Sequence, residues 1–259
     1  MENLKKKISI ITINLNNREG LEKTVASILS QVDRDFEWVV IDGGSYDGSL
    51  EILNRNKEYF DYWISEPDNG IFSGMNKGIT NSHGEFLLFL NSGDVFIDEN
   101  VVLKINSNIK NDDFYVGQIK YRGKNISIDL SSKEKMYYHL LRYGFPHQAT
   151  VIKSSLFRKL GLYREDYKVS SDWVFNLKAI INGNATVVKL PFIISEFDPH
   201  GVSSNPQMVN YDKDKMREET PGLCELMEFY IKYFKIINLI KHNRFIHFIG
   251  IKILRILKF

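Results

Sequence analysis

Residues 85–90 form a nearly continuous apolar run of strand length, and the run stops on Asn91-Ser92-Gly93-Asp94. Such a run suits a strand buried on both faces of a sheet. The small-residue turn then holds the Asp94 carboxylate just past a strand's carboxyl end, where open α/β sheets bind ligands. A carboxylate there can hold a divalent cation that carries phosphate oxygens; the plainer use is to cap the turn. Asp42 has a similar position, ending the apolar residues 36–41 and opening Asp42-Gly43-Gly44-Ser45-Tyr46-Asp47-Gly48. Of the two carboxylates in that loop, Asp42 reads as the ligand and Asp47 as the N-cap of the next helix. Asp172 stands in Ser170-Ser171-Asp172-Trp173, at the start of a helical pattern that runs to Ile181. Its carboxylate has the chemistry of a general base and the position of an ordinary N-cap, and the pattern leaves both open. His200, in Asp198-Pro199-His200-Gly201, offers an imidazole to a metal or simply solvates a loop.

These side chains need elements to hold them. Residues 8–13, 36–41, 62–64 and 85–90 read as strands, and residues 21–29, 49–56 and 71–80 as helices. That alternation predicts βαβ units, a mostly parallel sheet and right-handed crossovers. Pro67-Asp68-Asn69-Gly70 marks a turn before the third helix. After Asp94 the alternation weakens. Residues 100–109 read as a helix and residues 113–116 and 119–121 as strands. The loop Gly144-Phe145-Pro146-His147-Gln148-Ala149 enters a strand at 150–152. A helix at 154–160 ends on Gly161, and a strand is expected at 186–190. No G-x-G-x-x-G fingerprint follows the first strand and no Walker lysine motif is present, which takes the main support from a classical NAD or P-loop reading.

With 259 residues, 43% hydrophobic and 25% charged, the chain can bury a full core as a soluble protein. A net charge of +2 gives no reason to expect nucleic acid as a partner. The single cysteine, Cys224, rules out an internal disulfide and fits a reducing compartment. Lys5-Lys6-Lys7 before an apolar run imitates a signal peptide. The run is short, contains Asn14 and lacks a small-residue cleavage site, so it reads as the first strand. No segment reaches the ~18 apolar residues of a membrane span. From Gly222 the character changes: no acid follows Glu228, and residues 223–240 and 245–257 read as two basic amphipathic helices. Such a pair can lie on an anionic membrane surface, or pack on the domain or on a second copy of the chain.

One ordered set of motifs fills the first hundred residues. It comprises Ser9-Ile10-Ile11-Thr12 entering Asn14-Leu15-Asn16-Asn17, then Val40-Ile41-Asp42-Gly43-Gly44-Ser45-Tyr46-Asp47-Gly48 and Ser65-Glu66-Pro67-Asp68-Asn69-Gly70. Met75-Asn76-Lys77-Gly78-Ile79 and Phe89-Leu90-Asn91-Ser92-Gly93-Asp94 complete it. The set resembles the family 2 glycosyltransferases of GT-A fold, especially the bacterial surface-polysaccharide branch that includes a colanic-acid transferase. Phe145-Pro146-His147-Gln148 and Ser170-Ser171-Asp172-Trp173 extend the likeness more thinly.

The resemblance implies a nucleotide-sugar donor, Mn²⁺ or Mg²⁺, and inversion at the anomeric carbon. It puts Asp42 where the family hydrogen-bonds the nucleotide base, Asp94 at the last acid of the D-x-D metal motif, and Asp172 at the catalytic base. The implied donor-binding set is Thr12, Asn14, Asn16, Asp42, Gly43, Ser45, Asp68, Gly70, Asn76, Lys77, Asn91, Ser92 and Gly93. His147 and Trp173 fall on the acceptor side, and Asp94, with His200, on the metal. Two departures stand out. Asn14-Leu15 replaces the family's usual Thr-Tyr, whose Tyr stacks on the base, and Asn91-Ser92-Gly93-Asp94 has one carboxylate where many members have two or three.

The expectation is therefore a GT-A domain with a donor half at 1–98, an acceptor half at 99–221 and a basic helical tail at 222–259. It would sit on the cytoplasmic face of the membrane and move sugar to a glycan or lipid-linked acceptor, with homodimer formation through the tail left open. The alternative is a degenerate nucleotide-sugar-binding scaffold without turnover. A nucleotidyltransferase would need a Gly-rich, Arg-containing loop after the first strand, and none is present.

Overall fold

In a computed structural model, residues 7–198, 201–202 and 205–239 are described. Strand β1 (Ile8–Asn14) is buried along its whole length, and so is β2 (Glu37–Asp42). Alternate residues supply the two faces of the sheet. Ile11, Ile13, Val39 and Ile41 point to one core, while Ile8, Ile10, Trp38 and Val40 point to the other. Helix α1 (Arg18–Leu29) and α2 (Ser49–Asn56) cover the second face. The first face is covered by α3 (Ile71–Thr80), which follows β3 (Tyr62–Ser65). Gly74 and Gly78 let α3 lie against β1, since an added Cβ would come within 2.9 Å of Ile13 and 2.4 Å of Ile11. This close approach brings the α3 N-terminus to the carboxyl ends of the strands.

With β4 (Phe86–Phe89), the order β3-β2-β1-β4 is parallel throughout, as the alternation predicts. The rest of the sheet is mixed, so the expected mostly parallel character holds for this half only. The later elements are β5 (Val95–Phe96), α4 (Val101–Asn108), β6 (Phe114–Tyr121), β7 (Lys124–Ile126), α5 (Lys133–Tyr143) and β8 (Thr150–Lys153). Then come α6 (Ser154–Leu160), α7 (Ser171–Leu177), β9 (Val187–Phe197), α8 (Pro206–Glu219) and α9 (Pro221–Leu239). β8 runs antiparallel to β4 and β6, and β5 antiparallel to β9; only β6 and β9 pair in parallel. Antiparallel neighbours need no helical crossover, which is why the strand–helix rhythm fades after Asp94.

Two strand readings differ in extent, both at bulges. The strands expected at 113–116 and 119–121 are one strand, β6, whose register against β9 shifts around Gly117. The strand expected to end at Leu190 runs on to Phe197, because Pro191 falls at the same irregularity, where a proline is tolerated. The helix from Ser171 widens into a π turn at Lys178–Asn182 rather than staying regular.

α9 fills the place of the first tail helix. Its Leu223, Met227, Tyr230 and Phe234, at helical spacing, are buried in the same core as α3 and α5. Phe234 stacks on Tyr138 of α5 with ring centroids 4.1 Å apart. This apolar stripe is thus used inside the chain. The second tail helix expected at 245–257 lies outside the described residues.

Thr12, expected to touch the donor, is fully buried, and its hydroxyl accepts the Trp38 indole N–H at 3.1 Å. It belongs to the core. Thr12→Val would strand that N–H, at a cost of about 1–3 kcal/mol. Urea titration should show the lost stability, while nucleotide affinity stays unchanged.

Candidate active site

The carboxyl ends of β1 and β2 meet in a closed polar network. Asp42 is 0% exposed and accepts from five groups. Asn14 Nδ2 (2.7 Å) and Ser45 Oγ (2.6 Å) reach Oδ1, and Gly44 N (3.2 Å), Ser45 N (2.9 Å) and Ser65 Oγ (2.6 Å) reach Oδ2. Burial pushes its pKa up, but the bonds from Ser45, Ser65 and Asn14 outweigh burial and hold it below the usual value. A carboxylate offers about four lone-pair sites, so this one has none left for a base. Asp42 is corrected from direct ligand to loop anchor. Asn16, at φ 49°, gives its backbone N–H to Ser45 Oγ (2.8 Å), and its Oδ1 accepts from Tyr46 N (3.0 Å). Asn14 through Nδ2, Asn16 through Oδ1 and Ser45 through its hydroxyl therefore shape the loop. Gly48, not Asp47, holds the N-cap position of α2; Asp47, one residue earlier, accepts from Ser49 N (3.0 Å) and Arg18 N (2.7 Å) and so ties together the starts of α2 and α1. Above the network Leu15 and Tyr46 are 54% and 89% exposed.

Asp68 faces this loop across a gap that glycine keeps open: an added Cβ at Gly43 would lie 3.0 Å from its Oδ2. Its Oδ1 accepts from the N–H of Gly70, which precedes α3 at φ 115°. Lys77 pairs with Glu66 at 2.8 Å and reaches the Pro67 carbonyl at 3.3 Å, bracing the same turn. Asn76 is corrected from donor contact to loop clamp. It gives Nδ2 to the Tyr163 carbonyl (2.8 Å) and accepts the Tyr163 N–H (3.0 Å), which fixes the chain ahead of α7.

The turn after β4 holds the second buried carboxylate. Ser92 N bonds the Ile13 carbonyl at 2.9 Å, and Gly93 N bonds Thr24 Oγ1 at 3.0 Å. Gly93 sits at φ 103°, and a Cβ there would lie 2.5 Å from Asp198 Oδ2. Asp94 accepts the Asp198 N–H at 2.9 Å and a bond from the Gln148 side chain. Burial pushes its pKa up to about 6; His147 and these bonds pull down, while the neighbouring Asp198 charge adds to the rise. Sequence reading missed Asp198. The β5–β9 pairing, Val95 opposite Glu196, carries it to Asp94, and the available signal was its place two residues before His200. His200 itself lies outside the described residues.

Asp172 is not the N-cap of α7. Ser170 takes that position, without a side-chain bond. Among the described residues Asp172 Oδ1 accepts only the adjacent Trp173 N–H (2.8 Å), and Oδ2 lies 3.3 Å from His147 Nδ1. His147 Nε2 lies 3.2 Å from Asn91 Nδ2. Burial pushes the His147 pKa down, but its hydrogen bond to Asp172 and the charges of Asp172 and Asp94 more than offset this. Both ring nitrogens are taken, which corrects the expectation that His147 binds an acceptor. Trp173 gives its indole N–H to the Leu140 carbonyl at 2.7 Å and packs over Gly144. Asp172, His147, Trp173, Phe72, Tyr143 and Phe145 line a pocket of ≈ 330 Å³.

Asp94 and Asp198 offer a divalent cation hard oxygen ligands. Among the described residues no group of three or more His, Cys, Asp or Glu could hold one. A cation there would take its other ligands from bound phosphate and water, as Mg²⁺ usually does.

The family model "Glycosyl transferase family 2" matches residues 9–168. An uncharacterised glycosyltransferase of Mycobacterium tuberculosis is 33% identical over 213 residues, 76% of this chain and 77% of that one. A PGL/p-HBAD biosynthesis glycosyltransferase of Mycobacterium bovis is 28% identical over 207 residues, 76% and 78% of the two chains. Among solved structures, S. aureus TarS 1-349 in complex with UDP-GlcNAc aligns at TM-score 0.66 and 18% identity, covering 92% of this chain and 73% of that one. The mannosyltransferase PcManGT of Pyrobaculum calidifontis, in complex with GDP-Man and Mn²⁺, aligns at TM-score 0.58 and 15% identity, covering 87% and 64%. The shared fold is GT-A.

The Asp94 pKa has a consequence for metal-free stability. A carboxylate raised from 3.8 to about 6 on folding leaves stability intact below pH 4 and costs it as pH rises through 6. Asp94→Asn should therefore melt higher than wild type in EDTA at pH 7.5, by up to about 3 kcal/mol. The gap should close by pH 4. A variant that melts lower at pH 7.5 would contradict the strained carboxylate.

Proposed function

The chain belongs to glycosyl transferase family 2, and on that premise we propose that it moves a sugar from a nucleoside-diphosphate donor to an acceptor hydroxyl with inversion. The observation that carries the reading is the placement of Asp172 on the pocket wall. Its carboxylate is released from helix capping, faces a pocket walled by aromatic rings, and stands across His147 from the turn that ends in Asp94. Aromatic faces suit the apolar faces of sugar rings.

In the proposed reaction the acceptor hydroxyl gives its proton to Asp172 as its oxygen bonds to the anomeric carbon. The bond from that carbon to the diphosphate oxygen breaks, and the leaving diphosphate takes the electron pair. A single displacement from the face opposite the leaving group inverts the centre. Asp94 and Asp198 would hold Mn²⁺ or Mg²⁺, which supplies charge neutralisation for the diphosphate. Leu15 and Tyr46 offer apolar surface to the nucleotide base, with Gly43 and Asp68 bounding the gap between the two loops. The UDP-GlcNAc and GDP-Man bound by the two structural neighbours support a nucleotide-sugar donor and leave the base open.

The acceptor proposed is a glycan or lipid-linked sugar of a surface polysaccharide, met at the inner face of the membrane. Among the described residues no helix is long and apolar enough to cross a membrane; the contact with lipid proposed for the tail, residues 223–259, is peripheral.

Release of nucleoside diphosphate from UDP-, GDP- and TDP-sugars with Mn²⁺ tests the reading. One donor should turn over, and Asp172→Asn should cut kcat by roughly 10²–10⁴-fold without changing donor affinity. Nucleotide binding without turnover of any donor would favour a degenerate binding protein instead.

A further inference from the structure

We propose that His147 is a positioning residue: it fixes the orientation of the Asp172 carboxylate and ties it to the Asn91 turn on the donor side. The inference rests on the glycosyl-transfer reading above and assigns within it a role that the acceptor-binding expectation for His147 had obscured.

Asp172 lies in the first turn of a seven-residue helix, where its side chain has little of its own to lean on. Oδ1 accepts one backbone N–H, that of the next residue, and this contact alone permits rotation about the side-chain bonds. The other oxygen meets His147 Nδ1 at 3.3 Å. That separation is long, as such contacts often are before substrates are bound. The imidazole is itself held. Its side chain is 14% exposed, and Nε2 meets the Asn91 amide at 3.2 Å. Asn91 begins the turn that ends in Asp94, and Ser92 of that turn is tied to β1. Gln148, the next residue after His147, bonds Asp94. One short 3-10 turn, His147–Ala149, thus reaches the base with one side chain and the buried donor-side carboxylate with the next. The turn is braced from behind, where Ser195 Oγ donates to the Gln148 carbonyl at 2.7 Å.

An imidazole suits this place because its two nitrogens lie on opposite sides of one rigid ring. Nδ1–H donates to a carboxylate while Nε2 meets an amide, and neither contact can move without the other. Movement of the Asn91 turn when donor binds would therefore be felt at Asp172.

Asn and Gln separate the two contacts, because the Asn amide nitrogen falls near the place of Nδ1 and the Gln amide nitrogen near that of Nε2. His147→Ala should lower kcat on the order of 10²-fold and leave the donor KM unchanged, with added imidazole restoring part of the rate. His147→Asn should keep far more activity than His147→Gln. In an Asp172→Asn background His147→Ala should cost nothing further. Equal losses in both backgrounds, equal losses in the Asn and Gln variants, or a raised acceptor KM with kcat intact would overturn the proposal. If His147→Ala fails to fold, the Asn and Gln pair decides the matter. Absence of transfer by the wild type would instead overturn the parent reading, because this comparison begins only from an active enzyme.

Discussion

An ionised carboxylate loses several kcal/mol of hydration on burial, and the edge where β1, β2 and β4 end holds two nearly inaccessible ones, Asp42 at 0% and Asp94 at 4% exposure. They are treated in opposite ways. Asp42 receives five donors and its pKa is lowered. Asp94 receives the Asp198 amide and Gln148, has a second acid beside it, and its pKa rises to about 6. The first is a finished structural element that shapes the loop above it. The second is strained in a way that a cation would relieve.

The mixed half of the sheet produces the strain. β9 continues through a bulge and pairs with the two-residue β5, which brings Asp198 against the turn at Gly93. A side chain at Gly93 would collide there, so the turn needs glycine for its space as well as for its positive φ. On the other side, β8 enters the sheet through the His147–Ala149 turn, and α7 presents Asp172 to the same turn. The turn after β4 and the start of α7 are thus joined by side chains of one short segment.

The first half of the chain was largely legible. Unbroken apolar runs and helical spacing marked β1 to β4 and α1 to α3, and local small-residue turns marked Asp42 and Asp94. What the sequence concealed was the use made of each polar group. Asp42, Thr12 and Asn76 carry the residue types expected of ligands, but long-range partners at Ser65, Trp38 and Tyr163 consume their hydrogen-bonding capacity. Asp198 was hidden for a related reason. Its neighbour in space, Asp94, is 104 residues away, and Pro191 interrupts the strand that connects them. Asp172 read equally as cap or base, and the helix start removes the cap reading by placing Ser170 in that position.

The most direct measurement is calorimetric titration of UDP, GDP and TDP into wild-type protein and Asp94→Asn, each with Mn²⁺ and with EDTA. The expected result is that one nucleotide binds the wild type only with Mn²⁺, and that Asp94→Asn loses this metal-dependent binding while remaining folded. Equal binding in Mn²⁺ and EDTA, or binding that survives Asp94→Asn unchanged, would contradict a cation-linked diphosphate site at the end of β4.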